Sequence, residues 1–314
     1  MIYIGIDVGG TTIKAGVVDE NGRILLKDSV ATGMERGYGP MIRDMAELGI
    51  RLVEQSGHTM DEVKSIGIGI PGIMNPKTGR VPFCTNLAWH DVPILDEMAK
   101  YVSVPVYVDN DATAAGLAEH VGGVSSTVEN SVFITLGTGV GGGVMLNGKV
   151  FSGPHGVASE IGHMITVDGG EPCSCGKRGC WERYASATAL IREGRRFAEA
   201  HPDCPLMKAV DGDPEKITAK VVIDLAKAGD PDCAKLFDNY VYHLCVGLRN
   251  IINLYDPEII ALGGGVSHAG QFLLDAVRAK LPDMVFFKDM PYAQVELAQM
   301  GNDAGIIGAA MLGR

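Results

Sequence analysis

The apolar and polar positions begin in strict alternation. Ile2, Ile4 and Ile6 are separated by Tyr3 and Gly5, a pattern that predicts a strand. Asp7-Val8-Gly9-Gly10-Thr11-Thr12 then turns the chain, and a second strand is expected from Ile13 to Val18. Asp19-Glu20-Asn21-Gly22 closes it, and a third strand is expected from Arg23 to Val30. The order is strand, glycine turn, strand. A dinucleotide-binding unit needs a helix opening after its glycines, so this segment is not one.

The period then lengthens. Apolar residues at 41, 42, 45, 46, 48, 50, 52 and 53 predict a helix over 41–53. Val63 to Ile70 reads as a strand running into Pro71-Gly72. Asp91 to Tyr101 reads as a helix, with Asp91 as cap and Pro93 in its first turn. Val104 to Val108 is a short strand ending in Asp109-Asn110-Asp111, and Ala112 to His120 has helical composition. Asn130 to Leu136 is the next strand. After it, glycines at 137, 139 and 142 match Gly-x-Gly-x-x-Gly, but Val144-Met145-Leu146 runs into the hairpin signal Asn147-Gly148 instead of a helix. Trp181 to His201 and the long periodic stretch Leu236 to Tyr255 read as helices, with further helix around 224–227. Ile259 to Leu262 is a buried strand feeding Gly263-Gly264-Gly265. Gln271 to Lys280, a strand within 290–297, and a last helix over 303–312 complete the chain.

Two stretches repeat one device. Ile4-Gly5-Ile6-Asp7-Val8-Gly9-Gly10-Thr11 and Phe133-Ile134-Thr135-Leu136-Gly137-Thr138-Gly139 are each strand, glycine-threonine tip, returning strand. They suggest an internal duplication, with two tips gripping phosphate across a cleft. Backbone N–H and hydroxyl groups at Gly9, Gly10, Thr11, Thr12, Gly137, Thr138 and Gly139 suit phosphate oxygens. The first tip also reads as an ordinary hairpin turn. Asp7 at the strand end suits Mg2+, held directly or through water, and Lys14 adds positive charge. Gly263, Gly264 and Gly265, lacking side chains, let a nucleotide base or ribose approach closely. Asp111 sits where a strand gives way to a helix, a place that suits either ligand chemistry or a simple N-cap.

The segment 160–182 carries different chemistry. His163, Cys173, Cys175 and Cys180 make a closed Cys3His set of the kind that holds structural Zn2+, among glycines that let a loop wrap round an ion. Buried core thiols are the plainer alternative, but glycine, lysine, arginine and serine are poor company for a core. Such a site would hold the bordering Glu160 and Glu182 firmly.

Composition narrows the function classes. The 314 residues suffice for two domains, and 46% hydrophobic residues can fill real cores. The formal charge of -11, from 27 basic and 38 acidic residues, argues against nucleic acid or an anionic membrane as main partner. The first residues show no positive leader before an apolar core, and no apolar run approaches transmembrane length. Seven cysteines, three of them in the Cys3His set, suit a reducing interior, so a cytoplasmic protein is expected.

Taken in order, eight segments resemble one family. They are Asp7-Val-Gly-Gly-Thr-Thr-Ile-Lys14, Ile70-Pro-Gly72, Asn86-Leu-Ala-Trp89, Asp109-Asn-Asp111-Ala, Leu136-Gly-Thr-Gly-Val-Gly141, Glu160-Ile-Gly-His163, Cys173-Ser-Cys-Gly-Lys-Arg-Gly-Cys-Trp-Glu182 and Leu262-Gly-Gly-Gly265. Together they resemble the ROK family of sugar kinases and repressors over the full chain, most of all its bacterial glucokinase branch. The resemblance implies an α/β, two-domain actin-like (ribonuclease H-like) ATPase fold with mixed central sheets and an interdomain active-site cleft. The expected small domain is 1–115 plus 300–314, and the large domain is 116–299 with the zinc loop 163–180. It further implies ATP-dependent phosphorylation of the glucose 6-hydroxyl, with Asp111 as general base. Gly72, Thr85, Asn86, Asn110, Glu160, His163 and Glu182 would contact sugar. ATP, Mg2+ and Zn2+ are the implied cofactors, and a homodimer or tetramer the implied assembly. Repressors of this family carry a winged helix-turn-helix ahead of the fold, and strand 1 here begins at Ile2. Competing readings are a kinase for mannose, fructose, allose, N-acetylglucosamine or N-acetylmannosamine, and a sugar sensor without turnover.

Overall fold

The opening alternation becomes strand β1 (Ile2–Val8) in a computed structural model that describes residues 1–314. β2 (Thr12–Asp19) and β3 (Ile24–Ala31) follow as antiparallel neighbours, and β4 (Val63–Ile70) pairs parallel to β1. β5 (Ile73–Asn75), β6 (Arg80–Cys84) and β7 (Trp89–Val92) form a small antiparallel sheet. β8 (Val106–Asn110) completes the main sheet in the order β3-β2-β1-β4-β8.

The period of two decides what covers each face of this sheet. Ile4, Ile6 and Val8 of β1 and Ile66, Ile68 and Ile70 of β4 share one face, where the helix Tyr38–Gln55 packs Met41, Ile42, Met45, Leu48 and Leu52 against them. The other face carries Tyr3, Gly5 and Asp7 on β1, Ser65, Gly67 and Gly69 on β4, and Tyr107 and Asp109 on β8. Here glycine is required by close approach. A Cβ on Gly5 would lie 1.9 Å from the Ile306 carbonyl oxygen, and one on Gly67 1.7 Å from that of Ala309. The helix Ala304–Met311 thus lies flush on the sheet backbone, sealed by Tyr3, Val18, Ile306, Ala310 and Met311. Asp7 and Asp109, at the strand ends, bring carboxylates to that face, and Lys14 and Lys27 on β2 and β3 bring cations.

The second sheet comprises β9 (Ser131–Leu136), β10 (Val140–Leu146), β11 (Lys149–Val150), β12 (Ile259–Gly263) and β13 (Gln294–Leu297), ordered β11-β10-β9-β12-β13. It is mixed, since β10 and β11 are antiparallel and β12 and β13 parallel. The longest helix, Pro231–Tyr255, buries Phe237, Val241, Leu244, Leu248 and Ile251. It starts earlier than periodicity alone suggested, because Asp230 accepts from Cys233 N at 2.8 Å and Pro231 fits the first turn.

Chain contacts divide the protein into two units. One is Met1–Phe133 with Gly143–Ser159 and Ala298–Arg314; the other is Ile134–Gly142 with Glu160–Leu297. The boundary expected at 115/116 falls inside the helix Asp111–Gly122, which belongs whole to the first unit. Its Ala114 carbonyl explains part of this: a Cβ on Gly308 would lie 1.6 Å from it, so this helix is packed directly on Ala304–Met311.

The helix expected over 91–101 is a correction. Residues up to Val92 belong to β7, where Trp89 pairs with Cys84 and Val92 with Val81, and the helix is only Ile94–Met98. Asp91 does not cap it. Its backbone is left-handed (φ 49°), and its carboxylate accepts from Arg80 Nε at 2.6 Å across the small sheet. No helix is long and apolar enough to cross a membrane.

Candidate active site and metal centre

In the first unit the β1–β2 tip is an exposed turn with a buried support. Gly9 N donates to Thr12 O at 2.9 Å, and Gly10 and Thr11 face solvent. Thr32, fully buried, donates its hydroxyl to Gly9 O at 2.7 Å and its backbone N–H to Thr11 O at 3.0 Å. Asp7 is paired in register with Lys14, whose Nζ lies 3.9 Å from its carboxylate. Burial pushes the Asp7 carboxyl above its usual range, and Lys14 pulls it back. Gly305 presses on this carboxylate, since a Cβ there would lie 2.6 Å from Asp7 Cγ. A buried carboxylate beside one cation is a cation-seeking group.

At the end of β8 the cap is Asn110, so Asp111 is not needed for capping. Asn110 Oδ1 accepts from Ala112 N at 2.9 Å and Thr113 N at 3.4 Å, while its Nδ2 donates to Gly72 O at 3.3 Å. Asp111 is the first helical residue, half-buried, and accepts from Ala112 N at 2.8 Å. Gly72 is braced by Cys84, whose thiol donates to Pro71 O at 3.2 Å. Burial pushes that thiol up to about 11, and the negative charge of Asp111 acts in the same direction. Thr85 and Asn86, in the following turn, are exposed, and a Cβ on Gly10 would come 3.8 Å from Asn86 O. The structure therefore gathers Gly10, Gly72, Asn86, Asn110 and Asp111 in one neighbourhood.

In the second unit the ligand atoms of His163, Cys173, Cys175 and Cys180 all lie within 4.8 Å of one another, an arrangement able to hold a metal ion. Cys173 Sγ is 3.7 Å from His163 Nδ1, and Cys175 Sγ is 3.6 Å from Cys180 Sγ. The other imidazole nitrogen, Nε2, lies 4.0 Å from Glu160 Oε2. Glu182 Oε1 accepts from Cys173 Sγ at 3.0 Å. Burial pushes Glu160 up; nearby His163 lowers it and Glu182 raises it. The loop is closed by short pairings of Ile165 with Cys180 and Pro172 with Arg178. Trp181, fully buried, anchors it. Its Nε1 donates to His243 O at 2.9 Å, and its ring leaves room for nothing larger than Gly247.

The glycine tips of this unit converge on the same loop. A Cβ on Gly139 would lie 2.6 Å from Glu182 Oε2. Gly137 O accepts from Ala187 N at 2.8 Å, and Thr138 O from the Thr188 hydroxyl at 2.7 Å. Gly264, at φ 81°, sits against the end of β9, where a Cβ would be 2.6 Å from Leu136 N. Gly263 closes β12, and Gly265 opens a 3-10 turn before the helix Gln271–Lys280.

Sequence reasoning missed four supporting groups. Asp109 is one: Ser152 Oγ donates to its Oδ2 at 2.8 Å and Asn110 N to its Oδ1 at 2.7 Å. Its signal was the carboxylate directly before Asn110-Asp111. Thr32, Gly305 and the buried Thr113–Ser159 hydroxyl pair (3.1 Å) had none, because each acts through long-range contact.

Comparison with known proteins gives the family and the fold. A family model described as the ROK family matches residues 3–314. The chain is 38% identical to a glucokinase of Halalkalibacterium halodurans, over 99% of this chain and 94% of that protein. A solved ROK family glucokinase from Streptomyces griseus, in complex with glucose and AMPPNP, is 37% identical with TM-score 0.83 over 99% of both chains. A ROK hexokinase from Thermus thermophilus is 32% identical with TM-score 0.85, over 99% of this chain and 97% of that one. The mixed-sheet α/β fold of the actin-like, ribonuclease H-like class is thus the fold of this chain.

Asp109 gives a pH test. Burial raises its folded pKa above the ordinary 3.8, with the Ser152 and Asn110 hydrogen bonds partly opposing. Above about 3.8 the unfolded chain loses this proton first, so the folded state binds more protons and stability falls as pH rises, until the raised folded value is passed. In denaturant unfolding, the stability of wild type relative to Asp109→Asn is expected to decline with pH through that window. A difference that stays flat with pH would contradict the assignment.

Proposed function

The chain belongs to the ROK family, and from that premise we propose that it transfers the γ-phosphoryl group of ATP to the 6-hydroxyl of glucose. The observation that carries this reading is the likeness, over 99% of both chains, to a glucokinase holding glucose and AMPPNP. The local chemistry supports it. Phosphoryl transfer asks little covalent work of the protein and is governed by positioning and charge stabilisation.

In this reading Asp111 accepts the proton of the 6-hydroxyl as its oxygen bonds to phosphorus and the bond to the ADP oxygen breaks. Asp111 stands at the start of the helix that Asn110 caps, at the carboxyl end of a strand, where ligand chemistry is commonly placed. Gly72, Thr85, Asn86, Asn110, Glu160, His163 and Glu182 are the residues this reading assigns to the sugar hydroxyls. Paired carboxylates with an amide and an imidazole accept from and donate to hydroxyls in fixed directions. The tips at 9–12 and 137–139 would hold phosphates, Lys14 would add charge, and 263–265 would lie by the adenosine.

Two metals complete the proposal. The donor set at the cluster fits Zn2+: Zn–S bonds of about 2.3 Å give S–S tetrahedral edges of about 3.7 Å, and Cys175 and Cys180 stand 3.6 Å apart. Its role is structural, fixing the loop and one face of His163 while Nε2 stays on the Glu160 side. Asp7 fits Mg2+, which when bound offsets charge on the phosphates. Assembly as a homodimer or tetramer is the expectation for such a chain.

Asp111→Asn is expected to lower kcat by roughly 10²–10⁴ while glucose binding, measured by calorimetry, survives. Unchanged turnover would remove Asp111 from the base role. Cys175→Ser is expected to lower bound zinc from about one per chain to near none and to shift unfolding to lower denaturant, because structural metal affinity is also folding energy. A zinc-free variant with unaltered stability and activity would overturn the zinc assignment.

A further inference from the structure

Behind the Asn110–Asp111 strand end lies a separate cavity of about 480 Å3, built entirely within the first unit. That volume falls within the roughly 300–1,000 Å3 of small-molecule sites. Its walls include Tyr107, Asp109, Lys149, Phe151, Ser152 and Arg314. Successive strand residues point to opposite faces, so Asp109 turns toward the Ala304–Met311 side while Asn110 turns to Gly72. The cavity is therefore distinct from the place where Asn110 and Asp111 act.

The lining has the chemistry of a particular ligand class. Tyr107 and Phe151 expose 44% and 38% of their surface, which is enough ring face for a sugar to lie on. Gly313 packs against the Tyr107 ring, where a Cβ would lie 2.8 Å from Cδ2, and this sets Arg314 beside the mouth. Lys149 and Arg314 bring two positively charged side chains to the lining, in a chain whose net charge is -11. Also in the lining, the hydrogen-bonded pair of Asp109 and the Ser152 hydroxyl offers an acceptor and a donor-acceptor to ligand hydroxyls.

We infer that this cavity is a second binding site for a phosphorylated sugar, whose phosphate meets Lys149 and Arg314 and whose hydroxyls meet Asp109 and Ser152. The inference rests on the sugar-kinase reading, since the reaction yields a molecule of this class. Occupancy has a direct line to the chemistry. Asp109 Oδ1 holds Asn110 N at 2.7 Å, so a ligand hydroxyl competing for this carboxylate shifts the residue that caps the catalytic helix. The outcome is feedback inhibition by product acting from outside the active site.

The test is titration calorimetry with glucose 6-phosphate on the full chain, together with inhibition kinetics. Wild type is expected to bind two molecules per chain and to show inhibition not competed away by glucose. In Lys149→Ala/Arg314→Ala the second site is expected to weaken by about tenfold or more, leaving basal kcat unchanged and inhibition purely competitive. One molecule per chain, or two sites both insensitive to the double substitution, would overturn the inference. Equal binding of inorganic phosphate and glucose 6-phosphate at the second site would also overturn it, as the sugar contacts would count for nothing. If the chain phosphorylated no sugar, the kinase reading would fail, while the stoichiometry and its loss in the double variant would still decide the cavity.

Discussion

Everything chemical in this protein depends on keeping carboxylates partly out of water without letting them go neutral or swing away. A buried carboxylate is costly unless it is bonded or paired. Each one here is held differently. Asp7 has Lys14 in register across the hairpin and Gly305 pressed on its far side. Asp109 has a hydroxyl and a backbone N–H. Glu160 faces an imidazole, and Glu182 is fixed by Cys173 and crowded by Gly139. Asp111 rests on a helix N-terminus whose cap is supplied by its neighbour. Raised pKa values at Asp7, Asp109 and Glu160 are the signature of that burial.

Backbone geometry makes these arrangements possible. The glycine-lined face of the first sheet lets the helix Ala304–Met311 sit on bare peptide, and it leaves the carboxylates of Asp7 and Asp109 at the strand ends. In the second unit the cluster of His163, Cys173, Cys175 and Cys180, able to hold a metal ion, gathers a glycine-rich loop in the same way. It brings 163 and 180 together, and the adjacent buried Trp181 bonds the helix Pro231–Tyr255. A rigid scaffold with short polar loops at strand ends is what phosphoryl transfer, which rewards positioning above all, needs from a protein.

Much of this was legible in the sequence because it is local. Alternation located β1, and the Cys3His spacing named the four residues that the fold gathers within 4.8 Å. Glycine tips followed by strands separated this chain from dinucleotide folds. What stayed hidden depends on tertiary contact. Asp91 looked like a cap, but a cross-strand Arg80 claimed it and drew its surroundings into a sheet. Capping was open to Asp111 on paper, and only the Asn110 hydrogen bonds to Ala112 and Thr113 settled it. The supports at Thr32, Ser152 and Gly305 lie far along the chain from what they hold, and no periodicity announces them.

The most direct measurement is steady-state phosphorylation with MgATP, coupled to ADP release, across glucose, mannose, fructose, allose, N-acetylglucosamine and N-acetylmannosamine. Specificity is a ratio of kcat/KM values, and a site built to bond a given hydroxyl discriminates strongly against a sugar that misplaces it. The expected result is a kcat/KM for glucose about tenfold or more above each of the others. Glucose that binds but is never phosphorylated, with no turnover of any other sugar, would contradict the account at its centre.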